Sequence, residues 1–120
     1  MKLSVKYKGK SISIPVSETG FISRGLGLTF KTRNTSNLLF DFLKPVTIEG
    51  TLTSVFVFFD FLAIWTDKNN NVVDYKIIKP FTLSIVQRKQ FYKIIEVPVN
   101  SDNKRIIEFF IGNKSVRRRI

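Results

Sequence analysis

Apolar residues are laid out in two ways along this chain. From Leu3 to Val16 they alternate with polar ones: Leu3, Val5 and Tyr7 stand against Lys2, Ser4, Lys6 and Lys8, and Ile12, Ile14 and Val16 continue the period of two. Such alternation predicts half-buried strands, and Lys8-Gly9-Lys10 between them predicts a hairpin turn. Lysines on the outer face would also guard an exposed strand against edge-to-edge aggregation. From Ser17 to Arg33 the spacing changes. Phe21, Ile22, Leu26, Leu28 and Phe30 form an imperfect helical stripe, with Ser17-Glu18-Thr19 or Ser23 able to cap it. Gly25 and Gly27 each weaken that helix by about 1 kcal/mol relative to Ala, so a short helix around Phe21–Phe30 is predicted.

Beyond the polar turn Asn34-Thr35-Ser36-Asn37, strands dominate: Leu38–Leu43, Val46–Ile48, Leu52–Phe59, Leu62–Thr66, Val72–Ile78, Thr82–Val86, Phe91–Val97 and Ile106–Ile111. Asp67-Lys68-Asn69-Asn70-Asn71 reads as a hairpin loop and Asn100-Ser101-Asp102-Asn103 as a turn. Pro45, Pro80 and Pro98 fall at junctions, where a missing N–H does least harm. With 120 residues and no interdomain linker, the expected fold is one α+β domain over 1–113. Its sheet is expected to be mainly antiparallel, in a compact barrel-like or sandwich arrangement with one short helix. Lys114 to Ile120 is expected to be a basic C-terminal tail.

Leu52 to Trp65, LTSVFVFFDFLAIW, carries a single carboxylate, Asp60, inside an apolar run. An ionised carboxylate is costly to bury unless paired or hydrogen-bonded, so Asp60 either closes a structural network or belongs to a site. Asp67, at the mouth of a polar turn, is expected to bond its own backbone.

Composition narrows the chemistry. The chain has neither cysteine nor histidine, which excludes disulfides, Ser-His and Cys-His triads, and ordinary zinc sites. Asp60, Asp67 and Asp74 match no calcium loop in their spacing, and no metal or cofactor is expected. Arg24-Gly25-Leu26-Gly27-Leu28 holds a G-x-G without the third glycine or the preceding strand of a dinucleotide fingerprint. The N-terminus lacks the apolar core of a signal peptide, and Leu52–Trp65 is too short for a membrane helix; both favour a cytoplasmic protein. Twenty Lys and Arg against nine Asp and Glu leave a net charge of +11. That field either serves solubility or attracts a polyanion, chiefly nucleic acid or an anionic membrane.

Several segments resemble, in order, the elements of a small-domain family catalogued as domain of unknown function one-nine-two. Ile22-Ser23-Arg24-Gly25-Leu26-Gly27-Leu28 is similar to its arginine–glycine–leucine–methionine element, and Asn37 to Phe42 to its leucine–phenylalanine strand. Phe56 to Asp67 resembles its strand pair with two aspartates. Asn71-Val72-Val73, Lys79-Pro80-Phe81, Tyr92 to Pro98 and Ile111-Gly112 keep the order of its later elements. Gly27 stands where methionine is usual, Phe59 where proline often precedes the aspartate, and a tryptophan–methionine–x–asparagine–threonine element is absent around Leu52–Val55. The resemblance implies a compact, mostly antiparallel β domain with a short helix, and no established activity.

Two functional expectations follow. The first is a non-catalytic binding module of unknown ligand, with Arg24 and Asp60 as the polar part of its pocket. The alternative is a nucleic-acid-associated protein using Lys76, Lys79, Arg88, Lys89 and Lys93 with the tail residues Arg117, Arg118 and Arg119. In that cluster Phe81 and Phe91 are expected to point inward. An enzyme using Asp60 with a lysine is a third and less favoured expectation.

Overall fold

The computed structural model describes residues 1–18, 35–46, 51–52, 59–81 and 85–112. The first element is the hairpin expected from the alternation: β1 (Lys2–Tyr7) pairs antiparallel with β2 (Lys10–Pro15), Tyr7 opposite Lys10. The two-residue turn has positive φ at both positions, 51° at Lys8 and 77° at Gly9. A turn of that kind carries the right-handed twist that the strands need.

The main sheet runs β3-β4-β9-β6-β7, from β3 (Ser17–Glu18) through β4 (Leu38–Val46), β9 (Phe91–Pro98) and β6 (Phe61–Thr66) to β7 (Val72–Ile78). All its pairings are antiparallel except β3 with β4. Among the described residues the sheet does not close into a barrel. A separate two-stranded ladder joins β5 (Thr51–Leu52) to β8 (Ile85–Val86). β4 runs through Pro45 because the chain bulges between Asp41 and Val46: Leu43 takes φ 60°, and its N–H donates to Asp41 Oδ1 at 3.0 Å. The segment expected as a separate strand at Val46–Ile48 thus contributes Val46 to β4, and its last two residues lie outside the described ones. So do the helix expected at Phe21–Phe30, the middle of Leu52–Phe59, residues 82–84 and the tail.

The chain's final apolar run corrects the expectation of a strand at Ile106–Ile111. Residues Lys104–Ile111 form α1, led in by a 3₁₀ turn at Ser101–Asn103. Asn100 Oδ1 accepts the Asn103 N–H at 3.0 Å, and Asn103 Nδ2 donates to the Pro98 carbonyl at 2.8 Å. With the first turn anchored this way, Ile106, Ile107 and Phe110 fall on one buried face while Lys104 and Arg105 face solvent.

β6 is buried along its whole length and divides the core. Leu62 and Ile64, with Ile95 and Val97 of β9, pack under Val5, Ile12 and Ile14 of the hairpin and Ile107 and Phe110 of α1. Phe61, Ala63 and Trp65 point to the other face, with Leu38, Phe40 and Ile94. A strand covered on both sides needs no polar alternation, which is why this run is continuously apolar. Burying each of these side chains contributes about 1.5–3 kcal/mol. The hairpin is also tied to the sheet at its tip: the Lys6 N–H donates to the Asn70 carbonyl at 2.9 Å, and Lys6 bridges Asn71 in parallel.

Candidate functional site

Asp60 stands just before β6, half-buried, and its carboxylate pairs with Lys79 Nζ at 3.4 Å. The register explains the contact. Phe61 lies opposite Ile78, so the next residues outward along the ladder are Asp60 and Lys79. The Asp60 carbonyl also accepts the Val99 N–H at 3.0 Å. Arg24, the expected partner, lies outside the described residues.

The three aspartates occupy separate places. Asp67 binds its own loop as expected: Oδ1 accepts the N–H groups of Asn69 and Asn71 at 2.8 and 2.9 Å, and Oδ2 accepts Asn71 Nδ2 at 3.1 Å. Burial pushes the Asp67 carboxyl up, but the Asn71 and Asn69 hydrogen bonds and the charge of Lys6 outweigh it and hold the carboxyl below its usual value. Asp74 accepts the Tyr75 N–H and, through Oδ2, Gln87 Nε2, both at 2.9 Å. No group of metal-ligating side chains occurs among the described residues.

Of the cations expected to act together, Lys76, Lys79, Arg88, Lys89 and Lys93 are among the described residues. Lys76 is exposed on β7 opposite Ala63, and Lys79 is engaged by Asp60. Arg88 and Lys89 are exposed between β8 and β9, where Lys89 Nζ donates to the Val73 carbonyl at 3.2 Å. Lys93 reaches the other end of β7 and donates to Asn70 Oδ1 at 2.6 Å. Arg117, Arg118 and Arg119 lie outside the described residues. Phe91 is fully buried as expected, but Phe81 is 59% exposed. The turn after Pro80 holds it at φ 61° and so keeps it from the core.

A different cluster brings cations and aromatic rings together, at the hairpin tip and the C-terminal end of α1. Two adjoining depressions of about 440 Å³ share Tyr7, Lys8 and Lys10. The first adds Lys6, Ser11 and Asn71; the second adds Tyr75, Glu108, Phe109 and Phe110. Strand alternation accounts for the division. Lys6 and Ser11 are a paired position on the outer face of the hairpin, whereas Tyr7 and Lys10 are the next pair, on the face toward α1. Lys8, held in the turn, places Nζ 5.4 Å from the centroid of the Tyr7 ring. Tyr7 meets Tyr75 edge-on at 5.4 Å and Phe110 at 5.8 Å, and Phe109 meets Phe110 at 5.0 Å. A hydrogen bond to Tyr7, then burial, then the charges of Tyr7 and Asp74 push the Tyr75 phenol above its ordinary value, so it stays neutral at physiological pH. The sequence signal for this site was Lys6-Tyr7-Lys8-Gly9-Lys10, cations interleaved with an aromatic residue. Its helical half was hidden by reading residues 106–111 as a strand.

A third cleft, of about 450 Å³, lies at the opposite end of the hairpin among Pro15, Ser17, Asn37, Asn100 and Asp102. Asn37 there spends its amide on the Pro15 carbonyl at 2.9 Å. The Asn100 carboxamide oxygen and the Asn103 amide are likewise spent on the backbone.

No family model matches the chain, and no curated protein is similar to it in sequence. Two solved structures share its fold. A protein of unknown function from Novosphingobium aromaticivorans DSM 12444 superposes with a TM-score of 0.67 at 13% identity, covering 88% of this chain and 76% of its own. A proposed transcription regulator from Sinorhizobium meliloti 1021 gives 0.65 at 16% identity, covering 86% and 81%.

Proposed function

We propose that the protein is a non-catalytic binding module whose ligand is a polyanion, nucleic acid in the first instance. The observation that carries this reading is that Lys8 and Lys10 line both of two adjoining depressions that share the Tyr7 ring, with Lys6 lining the first, in a chain of net charge +11. Lys76, Arg88 and Lys89, exposed on β7 and between β8 and β9, would add attraction at longer range without fixing a register. The S. meliloti fold neighbour is a proposed transcription regulator; at 16% identity it lends the fold, and the charge argument supplies the partner. The same reading assigns the chain to the domain of unknown function one-nine-two family, on the motif order from Arg24 to Gly112.

Fluorescence anisotropy of labelled oligonucleotides and of labelled heparin, titrated with the full chain across a salt series, tests the reading. Engagement of three phosphates by single strands predicts log K falling with log salt at a slope of about −2. Replacing Lys6, Lys8 and Lys10 together by Gln is expected to weaken binding by about tenfold or more and to flatten the slope. Absence of binding at low salt, or binding indifferent to the triple substitution, would sink it.

A further inference from the structure

We infer that the preferred ligand at the hairpin tip is a single-stranded nucleic acid, with a phosphate in the Lys6 depression and a base carrying an exocyclic amine in the Phe109 depression. This rests on the polyanion reading above and adds a division of labour between the two depressions. The first has only cationic and neutral side chains on its wall: Lys6, Lys8, Lys10, Ser11 and Asn71, beside a turn glycine, with the Asp67 carboxylate behind Asn71 and hydrogen-bonded to its own loop. A β-carbon built on Gly9 would meet nothing within 4 Å, so the backbone there is open to a phosphate.

The second depression differs in its rings and in its charge. Lys8 and Lys10 still line it, but so does the carboxylate of Glu108, set among Tyr7, Tyr75 and Phe109. A phosphate placed there would meet that negative charge at close range. A nucleobase would not: its flat face can stack on the half-buried rings, and its exocyclic N–H can donate to the carboxylate. Lys104 Nζ lies 4.0 Å from Glu108 Oε1, one helical turn away, and steadies the carboxylate without removing its accepting capacity. Cytosine and adenine offer such an exocyclic donor; thymine has none, and its single imide N–H is flanked by two carbonyl oxygens that a carboxylate repels. Because a base must leave its stack to reach the rings, a duplex pays an unpairing cost that a single strand does not.

The experiment is a set of anisotropy titrations at one low salt concentration. Labelled decamers of deoxycytidine, deoxyadenosine and deoxythymidine and a blunt duplex are compared, with unlabelled heparin as a competitor. The cytidine and adenosine strands are expected to bind about fivefold or more tighter than both the thymidine strand and the duplex. Phe109→Leu, which keeps the apolar bulk, should lower affinity for the cytidine strand by about fivefold or more while leaving the salt slope unchanged. Glu108→Gln should bring the cytidine-to-thymidine ratio toward one, a change that loss of a helix ion pair alone would not produce. Equal affinity for all four ligands, or uniform tightening on Glu108→Gln, would overturn this inference while leaving the polyanion reading intact. No binding of any oligonucleotide or of heparin would overturn both.

Discussion

Lys8 sits where its backbone is at odds with its side chain. A φ of 51° is uncomfortable for lysine, whereas Asn followed by Gly is the favoured pair for this turn. Lys8→Asn is therefore expected to stabilise the protein by about 0.5–1 kcal/mol, raising the thermal midpoint by about 2–5 °C in a calorimetric scan. The same change removes one of the three convergent cations and should weaken oligonucleotide binding. A residue kept at a conformational cost and repaid in binding has that signature; a midpoint that falls would refute the strain argument. Asp67 gives the residue scale a pH dependence. Its folded carboxyl titrates below the ordinary value of 3.8, so its stabilising contribution is complete above that value and is lost as pH falls through the folded one. Asp67→Asn should lower stability near neutrality, and that deficit should shrink in acid; urea midpoints at a series of pH values would show both.

At the scale of elements, most strands were legible because their spacing was local information. The Lys8-Gly9 turn and the run Val72–Ile78 can be read directly from neighbouring residues. The helix at Lys104–Ile111 was not, although its signals were present. Ile106, Ile107 and Phe110 have helical spacing, and Asn100 stands where a cap belongs, but β-branched and aromatic residues weighed toward a strand. What tipped the balance is tertiary: Asn103 anchors to Pro98, and the apolar face finds the hairpin. Ile107→Ala should therefore cost about 2–5 kcal/mol, against less than about 0.5 for Arg105→Ala, measured by denaturant unfolding. Similar costs at the two positions would count against this helix register. The candidate site was half legible for the same reason. The lysines flanking Tyr7 are adjacent in sequence, but Tyr75, Glu108 and Phe109 reach it from strands and a helix far along the chain.

Across the whole molecule, the site lies where three pieces end together: the hairpin tip, the start of β7 with its loop, and the last turn of α1. The hairpin and helix are held by the core under them, while the rings and lysines at their ends stand partly in solvent. The interior position of β6 has a kinetic consequence. Its ladder partners β7 and β9 shield it on both edges, and apolar side chains cover it on both faces. Its amide hydrogens can then reach solvent only when the whole domain opens, whereas those at the hairpin tip need only a local breath. In deuterated buffer, Leu62 to Trp65 should keep their protons longest, and their exchange should report the global unfolding free energy. Ligand bound at the tip would slow that exchange as well, so β6 would register an event at the surface through the stability of the entire domain.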